Sequence, residues 1–329
     1  MIPPLLDPPI DDPRAVSRVL VRQMHLPSNP RPAVPVDLSR LAGLGFGPVE
    51  AWERVSDLGV VSEVFRTPAG YLRIRRTGSP HAMDALVRLY SSFPDDPRLP
   101  RLLAADLSAT PPWCLESALP GVALAHRPGT DIQRVLGQLM GLLCKIHEIP
   151  ADRVGSAPPA FIDSPVHRAS PYTLELHNMV AAYVGADVAE WLGELHANMP
   201  PTSSLVPVHS DATAYNVLIC PESGDLSGLV DFEWMHVNSP IHDLLGLVGG
   251  ATADFHHPSV QHTIDFFVRS CPHLDFTPTV EHLATLLATR EAALSCADVL
   301  SEKYPPAILD ARLGARRQRM SVYREWMDR

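Results

Sequence analysis

Apolar residues in the first third of the chain follow two different spacings. Two short amphipathic runs, at 15–24 and 36–45, predict leading helices, and the proline-rich stretch 27–35 between them predicts an extended linker. From residue 49 onward apolar and polar residues alternate and turn residues interrupt them, which predicts an antiparallel meander. Its three strands are expected at 49–56, 59–66 and 70–76.

A helix and a further strand complete this first part. Residues 81–93 carry apolar side chains at helical spacing, and 113–118 form an apolar run that leads into a Leu-Pro-Gly turn. We therefore expect residues 1–120 to form a small antiparallel sheet with helices, ending in a hinge near 115–121.

Helical spacing dominates the rest of the chain, at 122–329. Apolar residues form a wide stripe in the first of these segments, whereas the proline-rich stretch 150–171 predicts a loop. The predicted helices lie at 131–147, 174–184, 188–198 and 283–300. The expected fold class is α+β, with a small sheet part followed by a larger, mainly helical part.

The charge of the chain excludes some classes of partner. A net charge of -10 and a pI of about 5.8 argue against nucleic acid or an anionic membrane surface, because both require a basic face. No uninterrupted apolar run is long enough to span a bilayer, and the amino terminus lacks the pattern of a signal peptide. We expect a cytoplasmic protein, either a monomer or a homodimer.

The cysteines and histidines predict no metal cluster. The five cysteines lie far apart, in odd number and without a CxxC pair, so neither a disulfide framework nor a zinc knuckle is expected. They are Cys114, Cys144, Cys220, Cys271 and Cys296. Several histidines between 236 and 262 lack carboxylates at ligand spacing, so they are interpreted as solvated or capping residues.

One segment, at 206–237, departs from the helical pattern and carries candidate chemistry. It has an apolar lead-in, a polar loop with Asp211 and Asn216, and then two apolar runs around a turn, the second of which leads into Asp231. Phosphoryl transfer needs a carboxylate that orients the attacking hydroxyl and oxygen ligands for Mg²⁺, and these three residues supply both.

Here the chain resembles the aminoglycoside phosphotransferase and choline kinase superfamily. The HxDxxxxN pattern of that family is matched by His209, Asp211 and Asn216, and its [IV]DFE segment is matched by residues 230–233. A segment containing Asp243 resembles the family's GDPxxDLA motif. Two upstream segments, at 115–121 and 142–150, resemble its hinge and its "LarLHsip" motif.

The resemblance implies a bilobal, protein-kinase-like fold that holds ATP or GTP between its lobes. It places the catalytic loop at 207–218 and the metal-binding segment at 229–233. In that family's terms, Asp211 is the catalytic carboxylate and Asn216 and Asp231 hold Mg²⁺. His209 and Asp243 are expected to support the loop structurally.

The resemblance also implies a first-lobe cation for the nucleotide phosphates. The only lysines are Lys145 and Lys303, so Arg73 is preferred for this role, with Arg75 on the same strand face as the alternative. Asp84 stands where the family's helix offers an acidic partner to that cation. The hinge residues expected near the base are Glu116, Ser117 and Ala118.

The expected activity is an O-phosphotransferase acting on a small-molecule hydroxyl. The preferred acceptor is an antibiotic of aminoglycoside, macrolide, peptide or nucleoside type, and Glu233, Glu291 and Asp298 are candidates for contacting an acceptor that could be cationic. The alternatives are a kinase of a primary metabolite such as choline or homoserine, and a non-catalytic nucleotide-binding module. A protein kinase is disfavoured because no glycine-rich loop or APE-like segment is present.

Overall fold

The computed structural model describes most of the chain from residue 45 onward. The predicted linker and both leading helices, apart from Gly45, lie outside the described residues. The described ranges are 45–55, 62–75, 80–127, 130–154, 174–200, 204–232, 235–250, 257–274, 277–300 and 305–327.

A five-stranded antiparallel sheet forms the first part of the fold. Its strands are β1 (Glu53–Arg54), β2 (Ser62–Thr67), β3 (Gly70–Arg75), β4 (Leu102–Asp106) and β5 (Trp113–Glu116), in the order β1-β2-β3-β5-β4. The expected meander is thus present, but its first strand is shorter than predicted because residues 49–51 form a 3-10 turn. The alanine-rich sequence of β4 lacks the β-branched residues that mark a strand, so the sequence did not reveal it.

Two smaller sheets are built around the segment that carries the candidate chemistry. One joins β6 (Val122–Ala123), β8 (Val217–Ile219) and β9 (Leu226–Leu229), and the other pairs β7 (Val206–Val208) with β10 (His236–Asn238). The predicted hairpin is confirmed as β8–β9, which are antiparallel. The polar loop runs from β7 to β8, and Asp231 lies two residues beyond β9.

Helices make up most of the remaining described chain. They are α1 (Pro80–Tyr90), α2 (Ile132–His147), α3 (Ala151–Val154), α4 (Leu174–Tyr183), α5 (Ala186–Ala197), α6 (Ile241–Gly250), α7 (His257–Ser270), α8 (Val280–Leu300) and α9 (Pro306–Met327). The Asp131 side chain caps α2 by accepting hydrogen bonds from the amides of Gln133 and Arg134. The α+β class, with its sheet and helical parts, is therefore confirmed.

The apolar stripe of α2 forms the centre of the helical core. Val135, Leu139, Leu142 and Ile146 recur at helical spacing and are almost fully buried. This burial fixes the orientation of α2 and therefore directs His147, at its last position, into the protein. None of the described helices combines the length and apolar character needed to cross a membrane.

Candidate active site

The polar loop between β7 and β8 is held by hydrogen bonds among its own residues. The amide group of Asn216 donates from Nδ2 to the backbone oxygen of Asp211 (2.8 Å) and to its Oδ2 (3.0 Å). His209 connects the loop to the segment that follows β9. Its Nε2 contacts the Val230 carbonyl (3.0 Å), and its Nδ1 accepts from the Asp211 amide (3.2 Å). The carboxylate of Asp211 therefore has a defined orientation.

A buried carboxylate on α6 anchors this loop. Asp243, in the first turn of α6, accepts a hydrogen bond at Oδ1 from the amide of Ser210 (2.8 Å) and contacts Nε2 of His147 through Oδ2 (2.7 Å). Ser210 has a positive φ of 57°, which is costly for a residue with a side chain. The hydrogen bond to Asp243 helps to hold that strained backbone.

Asp231 faces the cation from the first sheet. Arg73, on β3, is buried and contacts Oδ1 of Asp231 through its NH1 atom at 3.4 Å. Like Ser210, Asp231 has a positive φ, of 68°, so both candidate functional turns contain a strained non-glycine residue. The three candidate residues of the motif therefore lie in one spatial cluster with Arg73. They are Asp211, Asn216 and Asp231.

Arg73 is held in place by the hinge residue Glu116. Its Nε donates to Oε1 of Glu116 at 3.0 Å, and the hydroxyl of Tyr90 donates to the other carboxylate oxygen. Burial, with the nearby Glu116 charge, raises the pKa of Tyr90 well above its usual value, so this phenol stays protonated as a donor. The Glu116 side chain is therefore committed to Arg73 and Tyr90.

The acid predicted to pair with Arg73 is engaged elsewhere. Asp84 forms an ion pair with Arg88, one turn along α1, at 2.8 Å. Glu116, rather than Asp84, is the acid that pairs with Arg73. The backbone of Arg75 lies in β3, whereas its side chain lies outside the described residues.

The two residues after Glu116 lie in the segment that leaves β5. The Ser117 amide donates to the Arg101 carbonyl (2.8 Å), and the Ser117 hydroxyl accepts from the Arg101 amide (2.9 Å). Ala118 is exposed. The amide of Ser117 is thus engaged within the protein, so the described arrangement does not offer that donor to a base.

A residue that sequence analysis missed completes the cluster. Arg290, on α8, donates from NH2 to Oδ1 of Asp211 (3.1 Å) and from NH1 to the carbonyl of Ser210 (3.4 Å). Each oxygen of the Asp211 carboxylate therefore accepts a hydrogen bond, one from Arg290 and one from Asn216. Arg290 lies 79 residues from Asp211 in an otherwise apolar helix pattern, so no local motif indicated the contact.

A comparison with known protein families shows which family this chain belongs to. The phosphotransferase enzyme family, APH, matches residues 63–270, which include most of the first sheet, the hinge, Arg73 and the segment from Asp211 to Asp231. This chain belongs to that family.

The individual relatives of this APH-family chain are distant. It is 27% identical over 145 residues to an aminoglycoside 3'-phosphotransferase of Streptomyces ribosidificus, an alignment that covers 40% of this chain and 51% of the relative. The match thus spans about half the length of that curated relative.

Solved structures show the same fold over most of the chain. A macrolide 2'-phosphotransferase from Brachybacterium faecium superposes with a TM-score of 0.59 at 14% identity, covering 84% of this chain and 96% of that chain. An aminoglycoside phosphotransferase in complex with AMP-PNP and hygromycin B gives a TM-score of 0.58 at 17% identity, covering 87% and 98%. At these identities the likeness establishes the fold.

The oxygen atoms at this APH-family site suit a magnesium ion. The Nδ2 atom of Asn216 contacts Asp211, which turns the amide oxygen away from that residue, and Arg73 contacts Asp231 through Oδ1. Burial, together with the nearby charge of Asp211, raises the pKa of Asp231 although Arg73 opposes the shift. A divalent cation would offset this concentration of negative charge, and its preferred ligands are such oxygens.

The expected acceptor-binding acids on α8 are occupied by arginines of α9. Asp298 accepts from Arg312 and Arg316, with Nε–Oδ2 distances of 3.0 Å in both cases. Glu291 pairs with Arg316 at 3.0 Å and with Arg319 at 2.7 Å. The structure therefore does not support the expectation that these two acids receive a cationic acceptor.

The charge balance at Glu291 shows the strength of these ion pairs. Burial works to raise the pKa of Glu291, but the guanidinium groups of Arg319 and Arg316 outweigh burial and lower it below the usual value. Glu291 is therefore ionised at neutral pH and bound to α9. The third candidate, Glu233, lies outside the described residues.

Replacing Asp298 by asparagine should destabilise the protein. Asp298→Asn removes the carboxylate that neutralises two arginines, one of which is buried, and breaking such a pair costs about 3 kcal/mol. We expect a clear loss of unfolding free energy in urea titrations. Asp310→Asn, at an exposed position on α9, is the matched control and should change little. Equal stability of the two variants would contradict a structural role for the α8–α9 ion pairs.

Replacing Arg290 should slow turnover without weakening nucleotide binding. Arg290→Gln removes the donor to Oδ1 of Asp211, so the carboxylate loses one of its two orienting contacts, and kcat should fall by about tenfold or more. Arg290→Lys keeps the charge and should recover part of the loss. Steady-state kinetics would separate the parameters, and a rise in nucleotide KM at unchanged kcat would contradict this role.

Proposed function

We propose that this chain is a magnesium-dependent small-molecule kinase. It transfers the γ-phosphoryl group of ATP or GTP to a hydroxyl group of its acceptor. The observation that carries the proposal is the Asp211 carboxylate, oriented by Asn216 and Arg290 in the same cluster as Asp231 and Arg73. Membership of the APH family supports the same reaction class.

Asp211 is the proposed catalytic residue. Its carboxylate positions the acceptor hydroxyl and takes the proton as that oxygen bonds to the γ-phosphorus atom. The bond between the γ-phosphorus and the bridging β–γ oxygen breaks at the same time, and the nucleoside diphosphate leaves. His209 and Asp243 act on this step indirectly, because they fix the loop backbone on either side of Ser210.

The remaining residues of the cluster serve the nucleotide. Asn216 and Asp231 would hold Mg²⁺, which when bound supplies charge neutralisation at the phosphates. Arg73 is the proposed phosphate ligand. Its guanidinium keeps the positive charge that a lysine often supplies in this family, and it can bind two phosphate oxygens at once. Glu116 and Tyr90 position Arg73, and the hinge that follows Glu116 is the proposed place of the base.

The proposed acceptor is an antibiotic, whose phosphorylation would inactivate it. An aminoglycoside kinase among the sequence relatives and a macrolide kinase among the structural neighbours support this class. A primary metabolite such as choline or homoserine is the alternative acceptor. Because Glu291 and Asp298 are neutralised by arginines, the test panel must include neutral as well as cationic acceptors.

The test is a turnover screen of the purified full chain with Mg²⁺. ATP and GTP are each offered with aminoglycoside, macrolide, peptide and nucleoside antibiotics, choline and homoserine, and the acceptors are analysed by mass spectrometry. The expected result is one acceptor class that gains a single phosphate, with product formation strongly reduced in Asp211→Asn. Nucleotide binding without transfer to any acceptor would instead favour a non-catalytic module on this fold.

A further inference from the structure

Two cysteines and a histidine that are distant in sequence meet in the fold. Cys144 and His147 lie in the last turn of α2, and Cys271 directly follows α7. The two sulfur atoms and a ring nitrogen of His147 all lie within 4.8 Å of one another. Cys271 and His147 are buried, whereas Cys144 is half-buried, which leaves a path from solvent.

The spacing of these atoms matches the ligand shell of a tetrahedral metal ion. Sγ of Cys271 lies 3.7 Å from Nδ1 of His147. A tetrahedral zinc ion with sulfur at about 2.3 Å and nitrogen at about 2.1 Å would separate these two ligand atoms by roughly 3.6 Å. The thiols of Cys144 and Cys271 are hydrogen-bond partners.

The ring of His147 is oriented as in many metal sites. Its Nε2 contacts the buried carboxylate of Asp243 at 2.7 Å, which favours the tautomer that carries the proton on Nε2. The lone pair of Nδ1 then points toward Cys271. A carboxylate that accepts from the outer nitrogen of a ligating histidine is the usual support of such a ligand.

A second histidine stands beside this group. The ring of His273 lies 5.9 Å from that of His147, centroid to centroid, and its Nε2 is buried without a hydrogen-bond partner among the described residues. Buried polar atoms in folded proteins nearly always have a partner, so this nitrogen indicates a missing one. The four residues form two pairs that are close in sequence: Cys-x-x-His at the end of α2 and Cys-x-His after α7.

We propose that Cys144, His147, Cys271 and His273 bind a structural zinc ion. Cys144, His147 and Cys271 already lie at ligand spacing, and His273 would turn its ring inward as the fourth ligand. Two thiolates and two imidazoles select zinc over magnesium or calcium. The ion would join the ends of α2 and α7. Through His147, Asp243 and the amide of Ser210 it would also stiffen the loop that carries Asp211. The site does not depend on the proposed reaction.

The first test is metal binding by the full chain. Protein freed of metal with a chelator under reducing conditions is titrated anaerobically with Co²⁺ and then with Zn²⁺. The expected result is one Co²⁺ per chain, with a thiolate-to-cobalt charge-transfer band and the visible bands of tetrahedral cobalt, all displaced by Zn²⁺. Bound Zn²⁺ should raise Tm by about 4 °C or more, because it binds the folded chain only.

Variants assign the site to these residues. Cys271→Ser should lose the charge-transfer band and the Tm shift, and His273→Gln should weaken Co²⁺ binding while keeping the sulfur band. Cys220→Ser is the matched control, because its thiol contacts Glu222 away from the site, and it should bind as the parent does. Two outcomes would overturn the proposal: no thiolate band in the reduced parent chain, or a disulfide between Cys144 and Cys271 in protein that takes up no metal after reduction.

Discussion

Asp211→Asn should lower kcat by about 1,000-fold while leaving the affinity for the magnesium nucleotide within about threefold of the parent value. The amide cannot accept the proton of the acceptor hydroxyl. It is nearly the same shape as the carboxylate, so the contacts from Asn216 and Arg290 can be kept in part. Single-turnover kinetics and calorimetric nucleotide binding would measure the two quantities separately.

A variant of Arg290, which contacts the same carboxylate from α8, tests a structural explanation of that result. Arg290→Gln removes a contact to the same carboxylate but keeps the proton acceptor, so it should retain far more activity than Asp211→Asn. Thermal unfolding of both variants should show Tm values close to that of the parent. Turnover of Asp211→Asn within about tenfold of the parent would contradict a proton-accepting role.

Asp231→Asn should weaken binding of the magnesium nucleotide by about 100-fold and reduce kcat as well. The substitution removes a negative charge from the proposed metal site and leaves Arg73 paired with Glu116, so the first sheet should stay intact. Nucleotide affinity is best measured with Mg²⁺ and with excess chelator. The parent should lose much of its affinity when the metal is removed, whereas the variant should change little.

The comparison of these four affinities isolates the metal contribution. If Asp231 acts only through its contact with Arg73, the variant and the parent should respond equally to chelation. If Asp231 holds Mg²⁺, the response should be largely absent in the variant. Equal responses would therefore refute the metal-ligand role and leave Asp231 as a partner of Arg73.

Local patterns predicted the elements that carry strong periodicity. The α2 stripe and the β8–β9 hairpin agree with the sequence to within a few residues, because burial of an apolar face imposes a fixed period. The strand β4 escaped notice because its alanines pack equally well in a helix. The long helix α9 was not predicted either; it buries Met320 and Tyr323 in the core and pairs its arginines with acids of α8.

The residues of the candidate site likewise fall into those that local sequence predicted and those that depend on tertiary contacts. Asp211, Asn216 and Asp231 lie within 21 residues of one another, so their spacing alone indicated a phosphoryl-transfer site. Glu116 was predicted at the hinge, but its pairing with Arg73 depends on the register of β3 against β5. Asp84 was the local alternative, and it pairs within its own helix instead.

What the sequence determined by itself is therefore the reaction class and the residues of the short loop and hairpin, because that chemistry depends on near neighbours in the chain. The tertiary structure decided the long-range partners: Arg290 at Asp211, the arginines at Glu291 and Asp298, and the meeting of Cys144 with Cys271. These contacts follow from how buried helix faces pack, and a single sequence does not record which distant residues that packing brings together.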